Sequence, residues 1–393
     1  MKPQLPQGVK HIIKRLEAHG KRAHIVGGCV RDFLLSKEPY DYDITTDALP
    51  EEMKVIFSDL RTVETGIKHG TLTVLCEGGS YEVTTYRVDG EYKDHRHPAS
   101  VTFTDSLAGD LARRDFTMNA ICYSERDGFV DMFSGIEDIN SSVIKAVGEP
   151  SQRFEEDALR ILRAIRFAAV LGFEIEEKTK RSALEKAHLL ASVSSERIYT
   201  EWKKLLSGIA THKVISNYGD IIKEFLFSEC IRLPEEKAFI GASSDARQLS
   251  LFALSLEDSA TRFADFCDRM KTDSKTKKIG VSVLLNLSAD LARKEDARLL
   301  LIRLGTEVVK LISEVKILIG EKNVLTSKEI DKVISSGYPL SLSELNIGGE
   351  DIKSLGLVGK EIGAALERLL TMTALDQVKN ERDALLTAAR KLK

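Results

Sequence analysis

The chain has 393 residues, of which 43% are hydrophobic and 30% are charged, and its formal net charge is −3. This length exceeds that of a usual single domain, so we expect two to four compact units that each bury a core. A net charge this small excludes a general electrostatic attraction to nucleic acid. Any such contact would need basic residues gathered on one face.

Cysteine usage and apolar patterning predict a cytoplasmic protein that does not use a membrane. The five cysteines lie far apart and form no Cys-x-x-Cys pair, so neither a disulfide framework nor a structural zinc site is expected. The N-terminal residues contain no apolar signal core. Nowhere do about 18 apolar residues follow one another, as a membrane span requires.

Residues 1 to about 150 predict a sheet with helices packed on it. The first helix is indicated by apolar residues at helical spacing over 9–16, and it is expected to end before Gly20. An apolar strand over 24–26 then leads into Gly27-Gly28. The segment therefore predicts a helix, a strand and a glycine turn in that order.

Two hairpins are predicted further along this part. Alternating runs over 71–77 and 80–86 are separated by Gly78-Gly79, which predicts a turn at these two glycines. Runs over 118–124 and 129–133 predict the second hairpin. We expect a mostly antiparallel or mixed sheet, not the alternating βαβ pattern of a doubly wound fold.

Everything after Phe154 predicts helices with short polar breaks, and this change in pattern marks the main domain boundary. Few prolines and few long loops indicate an elongated stack of helices. The expected helices lie near 153–171, 179–190, 195–206, 213–227, 245–254, 278–293, 307–320, 360–373 and 377–391.

Asp41-Tyr42-Asp43-Ile44 is the clearest candidate for metal binding. Because side chains alternate along a strand, we expect the two carboxylates on the same face, close enough to share cations. Paired hard oxygen ligands suit Mg²⁺. The alternative is a solvated loop, where an Asp-x-Asp pattern is common.

Two further segments could contact phosphate. Gly27-Gly28 stands where a helix is expected to follow a strand, so backbone N–H groups could receive phosphates, with Arg31 adding charge. A tight turn without a ligand is the alternative. Arg113 and Arg114 precede a strand, and their guanidinium groups match phosphate oxygens. Alternatively, they are exposed surface arginines, one of which pairs with Asp115.

A helix expected to start near Arg153 carries a row of charged residues on one half of its circumference and apolar residues on the other. The row consists of Asp157, Arg160, Arg163 and Arg166, at successive i+3 steps. The alternative is a solvent-facing surface with an acidic first turn over 155–157 that complements the helix dipole. Three arginines without a balancing acid on that face make this alternative less convincing.

Taken in order, several segments resemble the bacterial class II CCA-adding tRNA nucleotidyltransferases in content and in spacing. The tail of that family is similar to residues 346–370, whereas residues from about 208 to 330 carry little signature. The segments are GGCVRD at 27–32, DYDITTDA at 41–48, RRDFTMNA at 113–120, EEDALRILRAIRFAAVLGF at 155–173 and SSERIYTEW at 194–202.

The resemblance implies an α+β chain with a small polymerase-β-like head, built on an antiparallel or mixed sheet, followed by an elongated all-α neck, body and tail. The implied boundaries are 1–145 for the head, 146–207 for a nucleotide-reading neck, 208–325 for the body and 326–393 for a tRNA-binding tail. The helical modules of the family clasp the acceptor and T arms of tRNA. Monomer and homodimer both remain open.

The resemblance also implies an activity, the addition of C-C-A to the 3′ end of tRNA from CTP and ATP without a nucleic-acid template and with release of pyrophosphate. Asp41 and Asp43 match the catalytic carboxylates, which would bridge two Mg²⁺ ions roughly 3.5 to 4 Å apart. The residues that match nucleotide contacts are Gly28, Arg31, Arg114, Asp157, Arg160, Arg163 and Arg166.

The chemistry of the bases explains how one residue pair could read both nucleotides. Cytosine and adenine each present an exocyclic amine beside an acceptor nitrogen, so Asp157 would accept from the amine while Arg160 donates to the ring nitrogen. Guanine and uracil present the reversed pattern. A mismatch that leaves a buried polar group unpaired costs about 1 to 3 kcal/mol per group, which is enough for useful discrimination.

Three features close to these segments leave alternatives open. Glu82, on a neighbouring hairpin strand, could be a third metal ligand or an ordinary solvent-facing or cross-strand paired residue. The polar stretch over 89–98, with the residues up to 110, resembles the flexible loop of complete CCA-adding members, which favours addition of the final adenosine. His95 and His97 in this loop resemble a metal pair, but ordinary polar contacts are the better interpretation.

The alternative functions are an adenosine-only adding tRNA nucleotidyltransferase or a bacterial poly(A) polymerase, which use similar head motifs. The absence of a strongly basic C-terminal extension disfavours the polymerase. A non-catalytic RNA-binding protein is a further alternative, and the presence of Asp41, Asp43 and Arg114 speaks against it.

Overall fold

The computed structural model describes residues 3–90, 100–227 and 229–392. The chain forms two compact units, Met1–Phe225 and Leu226–Lys393, and each contains its own cluster of buried hydrophobic residues. Over the described residues, no helix is both long enough and apolar enough to cross a membrane.

The first unit is built on a seven-stranded sheet. Its strand order is β3-β4-β5-β2-β1-β8-β9, where β2 and β5 run parallel and the other neighbours run antiparallel, so the expected mixed sheet is confirmed. Two small two-stranded sheets pair β6 with β7 and β10 with β11. The strands are β1 (Ala23–Val26), β2 (Asp43–Thr46), β3 (Arg61–Val63), β4 (Thr71–Cys76), β5 (Gly79–Thr85), β6 (Arg87–Asp89), β7 (Val101–Phe103), β8 (Ile121–Ser124), β9 (Gly128–Asp131), β10 (Val143–Ile144) and β11 (Glu174–Ile175).

The helices of the first unit follow the expected apolar spacing where they are long. The first helix buries Val9, Ile12, Ile13 and Leu16 on one face, as their spacing predicts. The segment expected as a helix over 179–190 is an α-helix followed by a 3-10 helix, Ala187–Ser192. The helices are α1 (Gln7–Ala18), α2 (Gly28–Leu34), α3 (Pro50–Ile56), α4 (Leu107–Ala112), α5 (Gly135–Asn140), α6 (Pro150–Glu156), α7 (Leu159–Leu171), α8 (Glu177–Glu185), α9 (Ser195–Leu206) and α10 (Thr211–Lys223).

The β4–β5 hairpin turns one residue earlier than expected. Cys76 pairs with Gly79, so the turn residues are Glu77 and Gly78, whose φ angles are +48° and +74°. Positive φ at both positions is typical of the tight turn that joins two-residue hairpins. The expected turn at Gly78-Gly79 is therefore wrong. Gly79 begins β5, and the ring of Tyr81 covers it, since a Cβ there would lie 2.5 Å from the Tyr81 hydroxyl oxygen.

The helix expected over 153–171 is broken at Asp157, whose φ and ψ of −138° and 102° are extended. The Asp157 Oδ1 accepts the backbone N–H of Leu159 at 3.1 Å, which satisfies one of the first N–H groups of α7. The acidic residues over 155–157 therefore lie at the end of α6 and in the break. The expectation that they form the first turn of a long helix is wrong.

The second unit is entirely helical in its described part. The helices expected near 245–254, 307–320 and 360–373 are confirmed, whereas the one expected over 278–293 ends at Leu285 and that expected over 377–391 begins at Arg382. Five of the helices below, α11, α13, α15, α17 and α18, were not expected. The helices are α11 (Glu236–Gly241), α12 (Ser244–Ser255), α13 (Ser259–Arg269), α14 (Ser274–Leu285), α15 (Lys294–Leu304), α16 (Thr306–Leu318), α17 (Ser327–Ile334), α18 (Gly349–Ser354), α19 (Lys360–Ala374) and α20 (Arg382–Arg390).

One of the unexpected helices had a local signal. Thr326 accepts the backbone N–H of Glu329, and the Glu329 carboxylate accepts the backbone N–H of Thr326 at 2.8 Å. This reciprocal pair is a capping box. The sequence pattern Thr-x-x-Glu before the apolar residues of α17 predicts such a box. The helix is short, so its apolar period is difficult to detect from the sequence.

Candidate active site

The two acidic candidates lie at the start of β2, in the centre of the sheet of the first unit. Asp43 is the first residue of β2, and Asp41 precedes the strand by two residues. We expected both carboxylates on one strand. This expectation is wrong for Asp41, because only Asp43 lies within β2. The neighbouring parallel strand β5 places Glu82 in register with Asp43.

The Asp43 carboxyl group stands in a crowded acidic environment. Burial raises the pKa of Asp43, Arg114 opposes this effect, and the nearby charges of Asp41 and Glu82 raise the pKa further, to about 6. Like charges held together disfavour the ionised form of each. Such crowding in the absence of a cation is typical of carboxylates that share a metal ion.

The donor set fits a metal ion that arrives together with a triphosphate. Within the described ranges, no three His, Cys, Asp or Glu side chains come together in a group that could hold a metal ion. Mg²⁺ is usually bound through one or two carboxylates, with waters and substrate phosphates as the other ligands. Two hard carboxylates beside the Gly27-Gly28 turn fit this pattern.

The glycine turn and Arg114 lie side by side. Gly27 links β1 to α2 with a φ of +80°, which favours glycine. A Cβ at Gly27 would lie 3.1 Å from the Arg114 Nη1, so the guanidinium group of Arg114 covers the turn. Since Arg114 also lowers the pKa of Asp43, the turn, the arginine and the acidic pair belong to one site.

Arg31 reaches from α2 towards the same region. Its Nη1 donates to the Asn119 Oδ1 at 2.8 Å, its Nε donates to the Asp32 Oδ1 at 2.9 Å, and its guanidinium group lies 5.0 Å from the centre of the Phe167 ring. A Cβ at Gly28 would lie 3.8 Å from the Arg31 Nη2. The fold therefore brings Gly28 and Arg31 together, as the sequence predicted.

A fully buried carboxylate, that of Asp110, connects the neighbouring arginines to the strand of Asp43. Arg113 donates to the Asp110 Oδ1 from Nε at 2.9 Å and from Nη2 at 2.8 Å, and Arg114 donates to Oδ2 at 3.5 Å. Thr45 of β2 donates to the same Oδ2 at 3.0 Å. Neither arginine pairs with Asp115, so the interpretation of Arg113 and Arg114 as exposed arginines, one paired with Asp115, is wrong.

Each arginine of α7 has an acidic partner. Arg160 donates to Glu156 at 2.8 Å, Arg163 donates from Nε to Asp115 at 2.8 Å, and Arg166 donates to Glu201 at 2.8 Å. The expectation of unbalanced arginines on this face is wrong, because the balancing acids come from α6, from the segment before β8 and from α9. Buried guanidinium groups need such partners to offset the loss of hydration.

Asp157 and Arg160 are both held in place by other residues and keep capacity for a ligand. Asp157 Oδ2 accepts from the Arg197 Nη2 at 2.8 Å, while Oδ1 accepts from Leu159. Arg160 donates to Glu156, to the Arg153 carbonyl at 3.4 Å and to the Arg113 carbonyl at 2.9 Å. The guanidinium group of Arg160 has five N–H donors, and the carboxylate of Asp157 has about four acceptor positions. Each side chain therefore has more hydrogen-bonding positions than the contacts above use, so each can bind a further group.

The residues that hold the candidate side chains in place were not predicted from the sequence. Four of these five residues lie inside the segments that carry the family resemblance, which was the available signal; only Asp110 lies outside them. The stretch over 91–99, with His95 and His97, lies outside the described residues. The missed residues are Asp110, Asp115, Glu156, Arg197 and Glu201.

The sheet, the paired carboxylates and the arginine-covered glycine turn together define a nucleotidyltransferase head. Residues 23–145 match the family described as the Poly A polymerase head domain. Residues 172–217 match the family described as the probable RNA and SrmB-binding site of polymerase A.

Full-length relatives narrow this class to one family. A CCA-adding enzyme of Lactiplantibacillus plantarum is 36% identical, with 98% of this chain and 97% of the relative covered, and one of Bacillus cytotoxicus is 35% identical, with 95% of each covered. The solved CCA-adding enzyme of Bacillus stearothermophilus, in complex with CTP, superimposes with a TM-score of 0.79 at 30% identity and covers 100% of this chain and 98% of that one. The chain therefore belongs to the CCA-adding enzymes.

Membership confirms the predicted enzyme class and the predicted fold. The chain is a nucleotidyltransferase with a mixed-sheet head followed by helices. Enzymes of this family use a divalent metal ion.

Proposed function

We propose that this chain adds C-C-A to the 3′ end of tRNA from CTP and ATP, with Asp41 and Asp43 as the catalytic residues that hold Mg²⁺. The single observation that carries the proposal is the crowding of Asp43 by Asp41 and Glu82 beside the Arg114-covered turn. A relative of 30% identity has been solved with CTP, which supports the choice of nucleotide. The oxygen donors favour Mg²⁺ over softer metals.

The residues around the acidic pair would bind and orient the triphosphate. Gly28 leaves room for phosphate to approach the backbone, and Arg31 and Arg114 supply positive charge on either side of the turn. When bound, the divalent ions would lower the pKa of the RNA 3′-hydroxyl group and neutralise charge on the departing pyrophosphate. Asp41 and Asp43 would fix the position of these ions relative to the α-phosphate.

Asp157 and Arg160 would read the base. The Asp157 carboxylate accepts from the exocyclic amine shared by cytosine and adenine, and an N–H of Arg160 donates to the adjacent ring nitrogen. Arg163 and Arg166, paired with Asp115 and Glu201, would complete the charged wall of the pocket. With uracil or guanine, a carbonyl oxygen of the base would face the Asp157 carboxylate and a ring N–H would face the Arg160 guanidinium group, so neither hydrogen bond could form.

The remaining assignments extend this proposal to the whole chain. The boundaries at 145/146, 207/208 and 325/326 would separate head, neck, body and tail, and the helices after 207 would hold the acceptor and T arms of tRNA. We also propose a cytoplasmic location.

Product length tests the proposed activity. A tRNA that ends before C-C-A is incubated with CTP, with ATP, and with both nucleotides, and its 3′ end is read at single-nucleotide resolution. We expect two additions with CTP alone and three additions with both nucleotides. Long adenosine tails would instead identify a poly(A) polymerase, and addition of A only to ends that already carry C-C would identify an adenosine-adding enzyme.

The variant Asp41→Ala tests the proposed role of Asp41 as a metal-binding catalytic residue. This variant should abolish incorporation and leave tRNA binding within about twofold of the unchanged chain, because the substitution removes a metal ligand and touches no RNA-binding helix. Incorporation at the unchanged rate would refute the assigned role.

A further inference from the structure

The ring of Phe167 lies among three of the arginines assigned to nucleotide binding. Phe167 belongs to α7 and is 3% exposed. Its ring centre lies 3.5 Å from the Cζ of Arg166, 5.0 Å from that of Arg31 and 5.5 Å from that of Arg163. A guanidinium group within about 6 Å of a ring centre is attracted by the negative charge on the ring face. Three cations are thus grouped around one aromatic ring.

Arg31, which reaches the ring from α2, has few bonds to the rest of the chain. Its Nε and Nη2 donate to the Asp32 Oδ1 at 2.9 Å and 2.7 Å, and its Nη1 donates to the Asn119 Oδ1 at 2.8 Å. These contacts use three of the five guanidinium N–H groups and leave two for a ligand. All three bonds lie near the plane of the guanidinium group, so the contact with Phe167 adds a constraint that they do not supply.

The arginines around the ring are also joined to one another and to the glycine turn. The Asn119 side chain, which accepts from Arg31, donates to the Asp115 Oδ1 at 3.1 Å, and the Asp115 Oδ2 accepts from the Arg163 Nε at 2.8 Å. A Cβ at Gly28 would lie 3.8 Å from the Arg31 Nη2. A change in the position of the ring would therefore reach the turn through Arg31.

We propose that Phe167 is a positioning residue whose ring holds the guanidinium groups of Arg31, Arg163 and Arg166 in place for the incoming triphosphate. The inference rests on the proposed function, in which these arginines bind the nucleotide. Phe167 is buried, so it acts through the arginines and not on the substrate. Side chains that are ordered before binding lose less entropy on contact with a ligand, so arginines held in this way bind the triphosphate more tightly.

An aromatic ring suits this position better than a further acid. Asp115 and Glu201 already pair with Arg163 and Arg166. A further carboxylate would attract the arginines, but it would also repel the negatively charged triphosphate. A neutral ring attracts cations through the uneven charge distribution of its π electrons and adds no net charge. The positive field that the phosphates meet is therefore preserved.

Fluorination of the ring tests this role while the ring keeps nearly the same shape. In the full chain, Phe167 is replaced by mono-, di- and trifluorinated phenylalanine, whose ring faces carry progressively less negative charge. We expect the KM for CTP to rise with each fluorine, to about 3- to 10-fold with three, while the KM for the RNA stays unchanged. A ring that only fills space would leave the KM for CTP constant across the series. Phe167→Leu removes the ring altogether and should raise the KM for CTP at least as much.

Phe57 is the matched control, because it is a fully buried ring of the same unit with an arginine beside it. Its ring centre lies 5.8 Å from the Cζ of Arg15, which pairs with Asp59 away from the proposed site. The same fluorinated residues in place of Phe57 should leave the KM for CTP unchanged.

Two results would overturn the inference: a KM for CTP that stays constant across the fluorinated series at Phe167, or one that rises equally in the series at Phe57. A failure of the unchanged chain to extend tRNA with CTP would instead overturn the proposed function.

Discussion

At the scale of single residues, Asp43 shows how the site stores unfavourable electrostatic energy. Its pKa rises from the ordinary 3.8 to about 6, first because of burial and then because of Asp41 and Glu82. A cation bound between these groups would remove the repulsion. The arrangement therefore costs some stability in the metal-free chain and favours binding of a divalent ion.

The raised pKa of Asp43 predicts a gain in stability for Asp43→Asn. Because the folded chain holds this proton more tightly than the unfolded chain, stability falls as the pH rises from 3.8 through about 6, and the loss is complete above that value. At pH 7.5 without metal, Asp43→Asn should melt about 2 °C higher than the unchanged chain. The effect is small because neighbouring atoms crowd the Asp43 carboxyl group while the residue keeps an exposed surface, where water screens the repulsion.

Two controls accompany this prediction. The difference in melting temperature should shrink as the pH falls towards 4, and Asp43→Asn should incorporate no nucleotide. In the unchanged chain, the metal concentration needed for half-maximal incorporation should rise as the pH drops below about 6, since protons then compete with the metal ion for Asp43. A lower melting temperature for Asp43→Asn at pH 7.5 would contradict this interpretation.

We expect the substitution Arg197→Ala to reduce nucleotide selectivity. Its Nη2 holds the Asp157 carboxylate at 2.8 Å, so Arg197→Ala leaves the carboxylate free to rotate away from the base. We expect the preference for CTP over UTP to fall by roughly 10-fold, as for loss of one charged hydrogen bond, while Arg197→Lys restores part of it. The measurement is competition between the two nucleotides at the first addition.

Lys213→Ala is the matched control, because Lys213 forms an exposed ion pair with Glu174 in the same unit. This control should keep the full preference for CTP. If Arg197→Ala folds normally and discriminates as well as the unchanged chain, Arg197 does not position Asp157.

At the scale of elements, hydrogen bonds of Asp115 connect the segment before β8 to helix α7. Its carboxylate accepts from Arg163 at 2.8 Å, from the Asn119 side chain at 3.1 Å and from the Phe116 N–H at 2.8 Å. Burial alone would raise the pKa of Asp115, but Arg163 and Asn119 outweigh burial and hold the pKa below its usual range. The contact thus joins the sheet region of the unit to the arginine-bearing helix.

Asp115→Ala should destabilise the first unit by about 3 kcal/mol, because it leaves the mostly buried Arg163 guanidinium without its partner. In the unchanged chain the stabilising effect of Asp115 should be fully present above pH 4 and decline as the pH falls below it, since its pKa is depressed in the folded state. Urea unfolding at pH 7 and at lower pH measures both effects. Equal stability of the two chains at pH 7 would contradict the predicted anchoring role.

The elements also show what sequence patterns can and cannot predict. Alternation and glycine pairs located the β4–β5 hairpin, but the pairing of Cys76 with Gly79 places the turn one residue earlier, and the pattern of glycines does not report this register. Apolar spacing located α7, whereas the break at Asp157 depends on a side-chain hydrogen bond to Leu159 that periodicity does not report. Local patterns thus give the type of an element more reliably than its ends.

At the scale of the whole molecule, the site is assembled from segments far apart in sequence. Asp41, Arg114 and Asp157 were predicted because they lie in segments that resemble one family, and the full-length relatives confirm the membership. Their partners escaped prediction because pairing such as that of Arg166 with Glu201, on another helix, is a property of the folded chain. The structure divides the chain after Phe225, and the finer division into four modules stays a prediction.

Direct location of the metal tests the central claim. Crystals grown with Mn²⁺ and a non-hydrolysable CTP analogue should show anomalous scattering from ions bound by Asp41, Asp43 and the triphosphate, beside Arg114. The double variant Asp41→Asn, Asp43→Asn should lose this signal under the same conditions. A metal ion bound at another place, or bound at this turn without contact to either carboxylate, would contradict the account.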